Sequence, residues 1–246
     1  MSGVRVRFLG TGDAFGSGGR LQTSTHLTSE AGTLLVDCGP SALAAMRSAG
    51  LEPGAVDAIA LTHLHGDHFG GIPFLLLHAH YSDGRTRDLT VAGPAGVQQR
   101  VLAAVDALFP GTDTGAFRFR LKFVEMAAGQ PCDLGVARVT AFEVRHAKAL
   151  ACHALRVECG GRVLAFSGDT EWAGTLVEAS RDADLFLCEC QGFAGAPPGH
   201  LSHRALVEHR AELACTRVLL THMGDDVLCR TDLAFDTVRD GMTIDL

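Results

Sequence analysis

Histidine and aspartate are concentrated in one short segment, residues 62–68 (THLHGDH), which follows an apolar strand-like run. Imidazole nitrogen and carboxylate oxygen are the usual protein ligands of zinc. His63 and His65 are two residues apart, so they point the same way in extended backbone. Asp67 and His68 stand where the chain would enter a helix and could face a second ion. The segment therefore predicts most of a metal site, with a surface histidine cluster as the alternative.

Three more ligand-type residues each follow another strand-like run. They are His146, Asp169 and His222. Each one alone is more typical of a turn or of a satisfied core residue. Because buried strands can end at a common edge, we expect all three to converge on the first segment and to complete a two-metal site.

Short strand-like runs alternate with helical segments along the chain, which predicts an α/β protein in a single domain, 1–246. We predict strands at 4–9, 23–28, 33–37, 58–62, 89–92, 117–124, 137–145, 153–159, 162–167, 185–188, 218–221 and 243–245. We predict helices at 41–49, 68–79, 95–108, 172–180 and 202–213.

The two halves of the chain share a weak rhythm. Residues 33–39 (TLLVDCG) resemble 162–169 (RVLAFSGD), and residues 58–63 (AIALTH) resemble 217–222 (RVLLTH). The matches suggest duplicated halves packed as two sheets with outer helices, although chance similarity between apolar strands is the alternative.

Composition limits the partners. The net charge is −7 and no long basic run occurs, which argues against binding to a nucleic-acid backbone. No apolar stretch is as long as the roughly 18 residues that a membrane span needs, and no secretory leader is visible, so we expect no membrane partner and a cytoplasmic location. The scattered cysteines are expected to be small buried apolar residues.

The pattern His63-x-His65-x-Asp67-His68, followed by His146, Asp169 and His222, resembles the metal motifs of the metallo-β-lactamase superfamily. The resemblance implies a four-layer αβ/βα sandwich with two Zn²⁺ ions at one edge of the sheets, Mn²⁺ or Fe²⁺ being alternatives. It implies that one ion is held by His63, His65 and His146, the other by Asp67, His68 and His222, and that Asp169 bridges them. The true β-lactamases usually carry Cys at the position of Asp169, so the chain is more similar to hydrolases of other esters.

A narrower resemblance is to the ribonuclease Z-like branch, which includes phosphodiesterases. It is carried by residues 8–14 (FLGTGDA), 35–39 (LVDCG), 167–170 (SGDT) and 200–202 (HLS). The resemblance implies that His200 lies near the metals and assists proton transfer, and that the protein is a homodimer. The tRNA-processing members have a long arm between the motifs of His146 and Asp169. Here the two residues are only 23 positions apart, which argues against tRNA 3′ processing.

These residues predict a dinuclear zinc hydrolase that cleaves a small or cyclic phosphodiester by attack of a metal-bridging hydroxide. Asp67 and Asp169 would fix the hydroxide, and His200 would be the general acid, unless it is only a residue at a helix entry. A small-molecule ester is the expected substrate. The alternatives are a hydrolase of a thioester or lactone on the same metal site and a metal-binding protein without catalysis.

Two further features bear on the site. Asp37 and Thr62 could orient ligand imidazoles, although Asp37 could equally be a turn residue at a strand end. Residues 10–19 are rich in glycine but match neither a dinucleotide fingerprint nor a P-loop, so we interpret them as a flexible rim of the active site.

Overall fold

Two seven-stranded sheets form the centre of this computed structural model, which describes residues 3–246. The first sheet has the order β14-β1-β2-β3-β4-β5-β6 and the second the order β7-β8-β9-β10-β11-β12-β13. The strands of the first are β1 (Arg5–Gly10), β2 (Ser24–Ser29), β3 (Gly32–Val36), β4 (Ala58–Ala60), β5 (Leu89–Gly93), β6 (Leu121–Glu125) and β14 (Thr243–Asp245). Those of the second are β7 (Pro131–Asp133), β8 (Arg138–Glu143), β9 (His153–Cys159), β10 (Arg162–Phe166), β11 (Leu185–Cys190), β12 (Val218–Met223) and β13 (Asp236–Thr237).

Helices cover the outer face of each sheet, which confirms the four-layer α/β sandwich. They are α1 (Ala42–Ser48), α2 (Gly66–Phe69), α3 (Ile72–Leu77), α4 (Val97–Leu108), α5 (Thr175–Ser180), α6 (His203–Glu208) and α7 (Asp225–Leu228). Side chains alternate between the faces of a strand. On β3, Leu34 and Val36 join the core between the sheets, whereas Leu35 packs under the helices. Such two-sided burial explains why the strands are almost continuously apolar.

The two sheets are built alike, as the internal resemblance suggested. In each sheet, four consecutive strands are parallel to one another and the next ones are antiparallel. The sheet orders make β3 the counterpart of β10, as predicted. They make β11 the counterpart of β4, so the predicted match between residues 58–63 and 217–222 is wrong. The two segments were matched because both are apolar runs that end in Thr-His, although they hold different positions in the two sheets.

Several predicted boundaries are wrong. The helix expected at 68–79 is two short helices, α2 and α3, followed by a π-helical turn at His78–Ser82. Its break lies at Gly71, where a Cβ would come within 2.2 Å of the carbonyl oxygen of Gly39. Of the strand expected at 117–124, only the part from Leu121 onward forms a strand, β6. The expected helix at 202–213 ends at Glu208 and continues as a separate 3₁₀ turn, Arg210–Glu212.

Two short edge strands, β7 (Pro131–Asp133) and β13 (Asp236–Thr237), were not predicted. The prediction of one domain over 1–246 stays a prediction, and its first two residues lie outside the described residues. Among residues 3–246, no helix has the length and apolar character needed to span a membrane.

Candidate metal centre

The seven predicted ligands come together where parallel strands end. His63 follows β4 and Asp169 follows β10, whereas His222 lies near the end of β12 itself. His146 follows β8. Because parallel strands finish at the same edge of a sheet, side chains far apart in the chain meet there. The ligand atoms form two groups, each with its atoms within 4.8 Å of one another. The groups are His63, His65 and His146, and then Asp67, His68, Asp169 and His222.

The first group consists of three converging imidazoles. Nδ1 of His65 lies 3.1 Å from Nε2 of His63 and 3.0 Å from Nε2 of His146. His146 donates its Nδ1–H to the carbonyl oxygen of Gly199 at 2.8 Å, which leaves a lone pair on Nε2 of the neutral ring. Burial lowers the pKa of each of these three histidines, so the rings are neutral. An N–H group on one of these three nitrogens could satisfy the contacts only in part, whereas a cation would accept the lone pairs of all three nitrogens.

The second group combines imidazoles with carboxylates. Nε2 of His68 is buried and makes no hydrogen bond, yet it lies 3.3 Å from Oδ2 of Asp67 and 3.3 Å from Oδ1 of Asp169. Nε2 of His222 lies 3.5 Å from Asp67 Oδ2 and 3.3 Å from Asp169 Oδ2. An unpartnered nitrogen surrounded by carboxylate oxygens fits a shared metal ion.

Asp169 lies between the two groups. Its Oδ2 is 3.9 Å from Nε2 of His63, 3.8 Å from Nε2 of His146 and 3.3 Å from Nε2 of His222. The preceding Gly168 has φ 58°, and a Cβ there would lie 2.6 Å from the carbonyl oxygen of His153. Only glycine suits that position. The turn thus aims Asp169 at both groups.

The charges of this cluster favour cations. Burial lowers the pKa of His68, but the negative charges of Asp169 and Asp37 outweigh it, so the pKa lies well above the usual value. Burial likewise disfavours the charged form of Asp169, but His222 and His68 hold its pKa well below the usual value. The carboxylates thus favour the positively charged form of His68, and the same negative field would favour a divalent cation between these side chains.

Asp37 orients His68. Its Oδ2 lies 2.8 Å from Nδ1 of His68, and its Oδ1 accepts a hydrogen bond from the backbone N–H of Thr62 at 2.9 Å. Asp37 is 2% exposed and has φ 57°, a conformation uncommon outside glycine. A carboxylate on Nδ1 fixes the ring with Nε2 toward the metal position. This contact favours the orienting role over the simple turn residue. Thr62 also contacts a ligand, with Oγ1 3.1 Å from Nδ1 of His63.

His200 approaches the cluster together with a residue that the sequence analysis missed. Nδ1 of His200 lies 3.1 Å from Oε1 of Glu189, which also accepts a hydrogen bond from the backbone N–H of Thr170. Because Oε1 is already an acceptor, the Nδ1–H of His200 donates to it, and Nε2 stays available for proton transfer. Ser202 caps α6, accepting from the N–H of Ala205 at 3.2 Å. His200 therefore lies before the helix, beside the metal ligands.

Glu189 is the only charged residue of β11 and is 1% exposed. Burial raises its pKa well above the usual value, and the negative charge of Asp169 raises it further. A lone acid within an apolar strand, LFLCEC, is the signal that could have found it, because an ionisable group is rarely buried without a partner.

Gln191 and Asp13 form a second missed contact to the site. Oε1 of Gln191 lies 3.1 Å from Nδ1 of His222, and its Nε2 donates to Oδ2 of Asp13 at 3.0 Å. Asp13 belongs to the glycine-rich loop and accepts hydrogen bonds from the N–H groups of Phe15 and Ser17. The loop does form a rim of the site, but it is held by more hydrogen bonds than the prediction of a flexible segment implied.

An open cavity of about 310 Å³ lies above both groups. Asp67, Asp169 and His200 line its floor and wall, and Phe15 stands at its rim. Its size falls within the range of small-molecule sites. A single molecule bound in the cavity could therefore contact the candidate metal-binding residues, His200 and Phe15.

The comparisons with known proteins agree with this architecture. The crystal structure of the metallo-β-lactamase fold protein YhfI from Bacillus subtilis superposes with a TM-score of 0.78, at 22% identity, over 98% of this chain and 99% of that one. Human tRNase Z, short form, gives 0.78 at 22% identity over 98% of each chain. Fold and site thus define a metallo-β-lactamase-fold protein, as the motifs predicted.

Within that class, the chain belongs to the family described as Anti-Pycsar protein Apyc1, whose family model matches residues 4–233. Ribonuclease BN of Citrobacter koseri is 34% identical over 159 residues, which are 63% of this chain. The chain spans about half the length of the curated relatives that it matches (50%). Ribonuclease BN of Escherichia coli matches to the same extent.

Proposed function

We propose that the protein is a hydrolase with two zinc ions that cleaves a small or cyclic phosphodiester. The observation that carries the proposal is that His200, held by its contact with Glu189, lines the same cavity as Asp67 and Asp169. The attacking water and the leaving oxygen would thereby both lie near side chains that can accept or donate a proton.

The donor sets fit two ions. His63, His65 and His146 would hold one, Asp67, His68 and His222 the other, and Asp169 would contact both, with Mn²⁺ or Fe²⁺ as alternative metals. When bound, the ions would supply hydroxide from water near neutral pH and neutralise charge on the phosphoryl group.

The side chains of this chain would complete the reaction. Asp67 and Asp169 would accept hydrogen bonds from the attacking water and orient it toward phosphorus. As the bond between phosphorus and the leaving oxygen breaks, Nε2 of His200 would give its proton to that oxygen. The products would be a phosphomonoester and an alcohol, which in a cyclic substrate remain parts of one molecule. Glu189 would position His200 through its contact with Nδ1 of the ring.

Several observations favour a phosphodiester. A sugar alkoxide is a poor leaving group and needs a general acid, whereas the thiolate of a thioester does not. The names of the relatives, ribonuclease BN and tRNase Z, describe cleavage of phosphodiesters. Hydrolysis of a thioester or a lactone remains the second candidate, since the same ligands would serve it.

A small substrate is favoured over tRNA. Between His146 and Asp169 the chain forms only the β9–β10 hairpin, and the net charge is −7. A metal-binding protein without catalysis is disfavoured because the ligand atoms converge below an open cavity. The homodimer and the cytoplasmic location stay predictions.

A panel of substrates tests the proposal. Zinc-loaded protein would be assayed with bis-p-nitrophenyl phosphate, a nucleoside 3′,5′-cyclic monophosphate, a thioester and a lactone. We expect turnover of the two phosphodiesters, and its loss in the Asp169→Ala variant. Turnover of the thioester or lactone alone would overturn the assignment to phosphodiesters.

A further inference from the structure

We propose that Phe15 is a specificity residue, an aromatic platform on which a planar ring of the substrate stacks while the phosphodiester lies on the metals. This inference rests on the proposed function. The phenyl ring is 89% exposed, more than any other large apolar side chain of the described residues. A single exposed apolar residue is ordinary by itself. Phe15 differs from such a residue because it lines the cavity of the candidate site and because hydrogen bonds fix its backbone.

Phe15 stands at the rim of the cavity that contains the metal ligands. The exposed residues of the lining are apolar, whereas its acidic and histidine residues are buried or half-buried. The rim residues are Ala14, Phe15, Pro197 and Pro198. A phosphodiester that places its charged group on the floor would therefore direct its remaining substituent toward an apolar surface. A flat aromatic ring suits that surface better than a flexible polar group.

The loop beneath the ring is fixed by Asp13, which is 1% exposed. Its Oδ1 accepts the backbone N–H of Phe15 at 3.1 Å and that of Ser17 at 3.0 Å, and its Oδ2 accepts the hydroxyl of Ser17 at 2.7 Å. A fixed backbone presents the exposed ring at little entropic cost on binding.

The same loop is tied to the metal-ligand cluster. Gln191 donates to Asp13 at 3.0 Å and contacts His222 at 3.1 Å. On the far side, the N–H of Gly18 donates to Asp225 of α7 at 3.0 Å. Phe15 is therefore held at a set position relative to the ligands. That is what a site needs if it is to hold a ring and a phosphoryl group together.

Stacking on a phenyl ring depends on the planar face and not on the hydrogen-bonding edge of a base. The platform would thus favour nucleotides over phosphodiesters without a base, while discriminating weakly between bases. The preference for a substrate with a base would therefore come from Phe15 and not from the metal-binding residues.

Kinetics with matched substrates test the inference. The substrates are a nucleoside 3′,5′-cyclic monophosphate and the methyl riboside 3′,5′-cyclic phosphate, which has no base. For Phe15→Ala we expect KM to rise about tenfold or more for the nucleotide, with kcat retained, and no change for the base-free compound. Phe15→Trp should keep the low KM. The control is Tyr81→Ala, which removes a ring that is 72% exposed and does not line this cavity.

Equal effects on both substrates, or none on either, would overturn the role of Phe15. So would a change in oligomeric state without a change in the KM of the nucleotide. If the wild type hydrolyses neither substrate, the proposed activity on cyclic phosphodiesters fails, and a binding measurement still decides the role of Phe15.

That measurement uses fluorescence. Trp172 is the only tryptophan of the chain, so Phe15→Trp combined with Trp172→Phe places one fluorophore at the rim. A nucleoside monophosphate should quench it saturably, and ribose 5-phosphate should not. Equal quenching by the two, or none by the nucleotide, would contradict stacking at this position.

Discussion

Glu189 Oε1 accepts the Nδ1–H of His200 at 3.1 Å, which joins a fully buried acid to the one cavity-lining histidine outside the predicted ligand set. The pair has the arrangement of a general acid with a positioning carboxylate. It also gives the proposed mechanism a feature that can be tested separately from metal binding.

Removal of His200 should depend on the leaving group. For His200→Ala we expect turnover of a substrate with an alkoxide leaving group to fall about 10²–10⁴-fold, because that oxygen must be protonated. Turnover of bis-p-nitrophenyl phosphate should fall much less, since p-nitrophenolate leaves without a proton. Metal content should stay at the wild-type value. Equal loss with both leaving groups would show that His200 is not the acid.

Glu189→Gln tests the positioning role. The amide keeps the size of the side chain but cannot hold Nδ1 of His200 as the carboxyl group does, so the His200 ring loses the contact that positions it. We expect kcat to fall for the alkoxide substrate with KM unchanged, and the pH profile of kcat to shift. Combining Glu189→Gln with His200→Ala should cost no more than His200→Ala alone. An additive loss would place Glu189 outside this pair.

Substitution of Asp169 should remove metal. Because its carboxylate lies between both ligand groups, Asp169→Ala should cost at least one ion per chain, as measured by elemental analysis of purified protein. Circular dichroism would check that the variant is folded. Full metal occupancy in folded Asp169→Ala would rule out the bridging position.

Asp37→Asn should weaken metal binding without removing a ligand. The amide cannot hold Nδ1 of His68 as a carboxylate does, and loss of such a contact typically costs 10–100-fold in affinity. Competition with a chelator would measure the change. Asp57→Asn is a matched control, because Asp57 precedes a strand and accepts the N–H of Thr33 away from the site. Unchanged zinc affinity in Asp37→Asn would contradict the orienting role.

His26 predicts a pH dependence of stability that is unrelated to the site. Burial and the neighbouring Arg7 lower the pKa of His26 to about 4. Between pH 4 and the ordinary value of 6.5, the unfolded chain binds a proton that the folded chain does not, so stability falls as pH falls through this window. His26→Phe should reduce the loss of unfolding free energy between pH 6.5 and 5 by about 1–2 kcal/mol, measured by denaturant titration. An identical pH dependence in both proteins would contradict this.

The sequence predicted the fold class and the side chains that converge at the strand ends, because both leave local signals. Apolar strands that end in His or Asp are visible in the chain, and the THLHGDH segment at 62–68 contains four of the candidate ligands. What it could not predict depends on contacts between distant residues. Gln191 and Asp13 are 178 positions apart, and only the folded strands bring them together. At the helix break near Gly71 the backbone likewise lies close to that of Gly39, which is distant in the sequence.

Metal stoichiometry tests the central claim most directly. Purified protein, first stripped with a chelator and then dialysed against excess zinc and metal-free buffer, would be analysed by inductively coupled plasma mass spectrometry. The converging imidazoles and carboxylates predict two zinc ions per chain. If folded protein contained no stoichiometric transition metal, either as first purified or after reconstitution with zinc, the account would be contradicted.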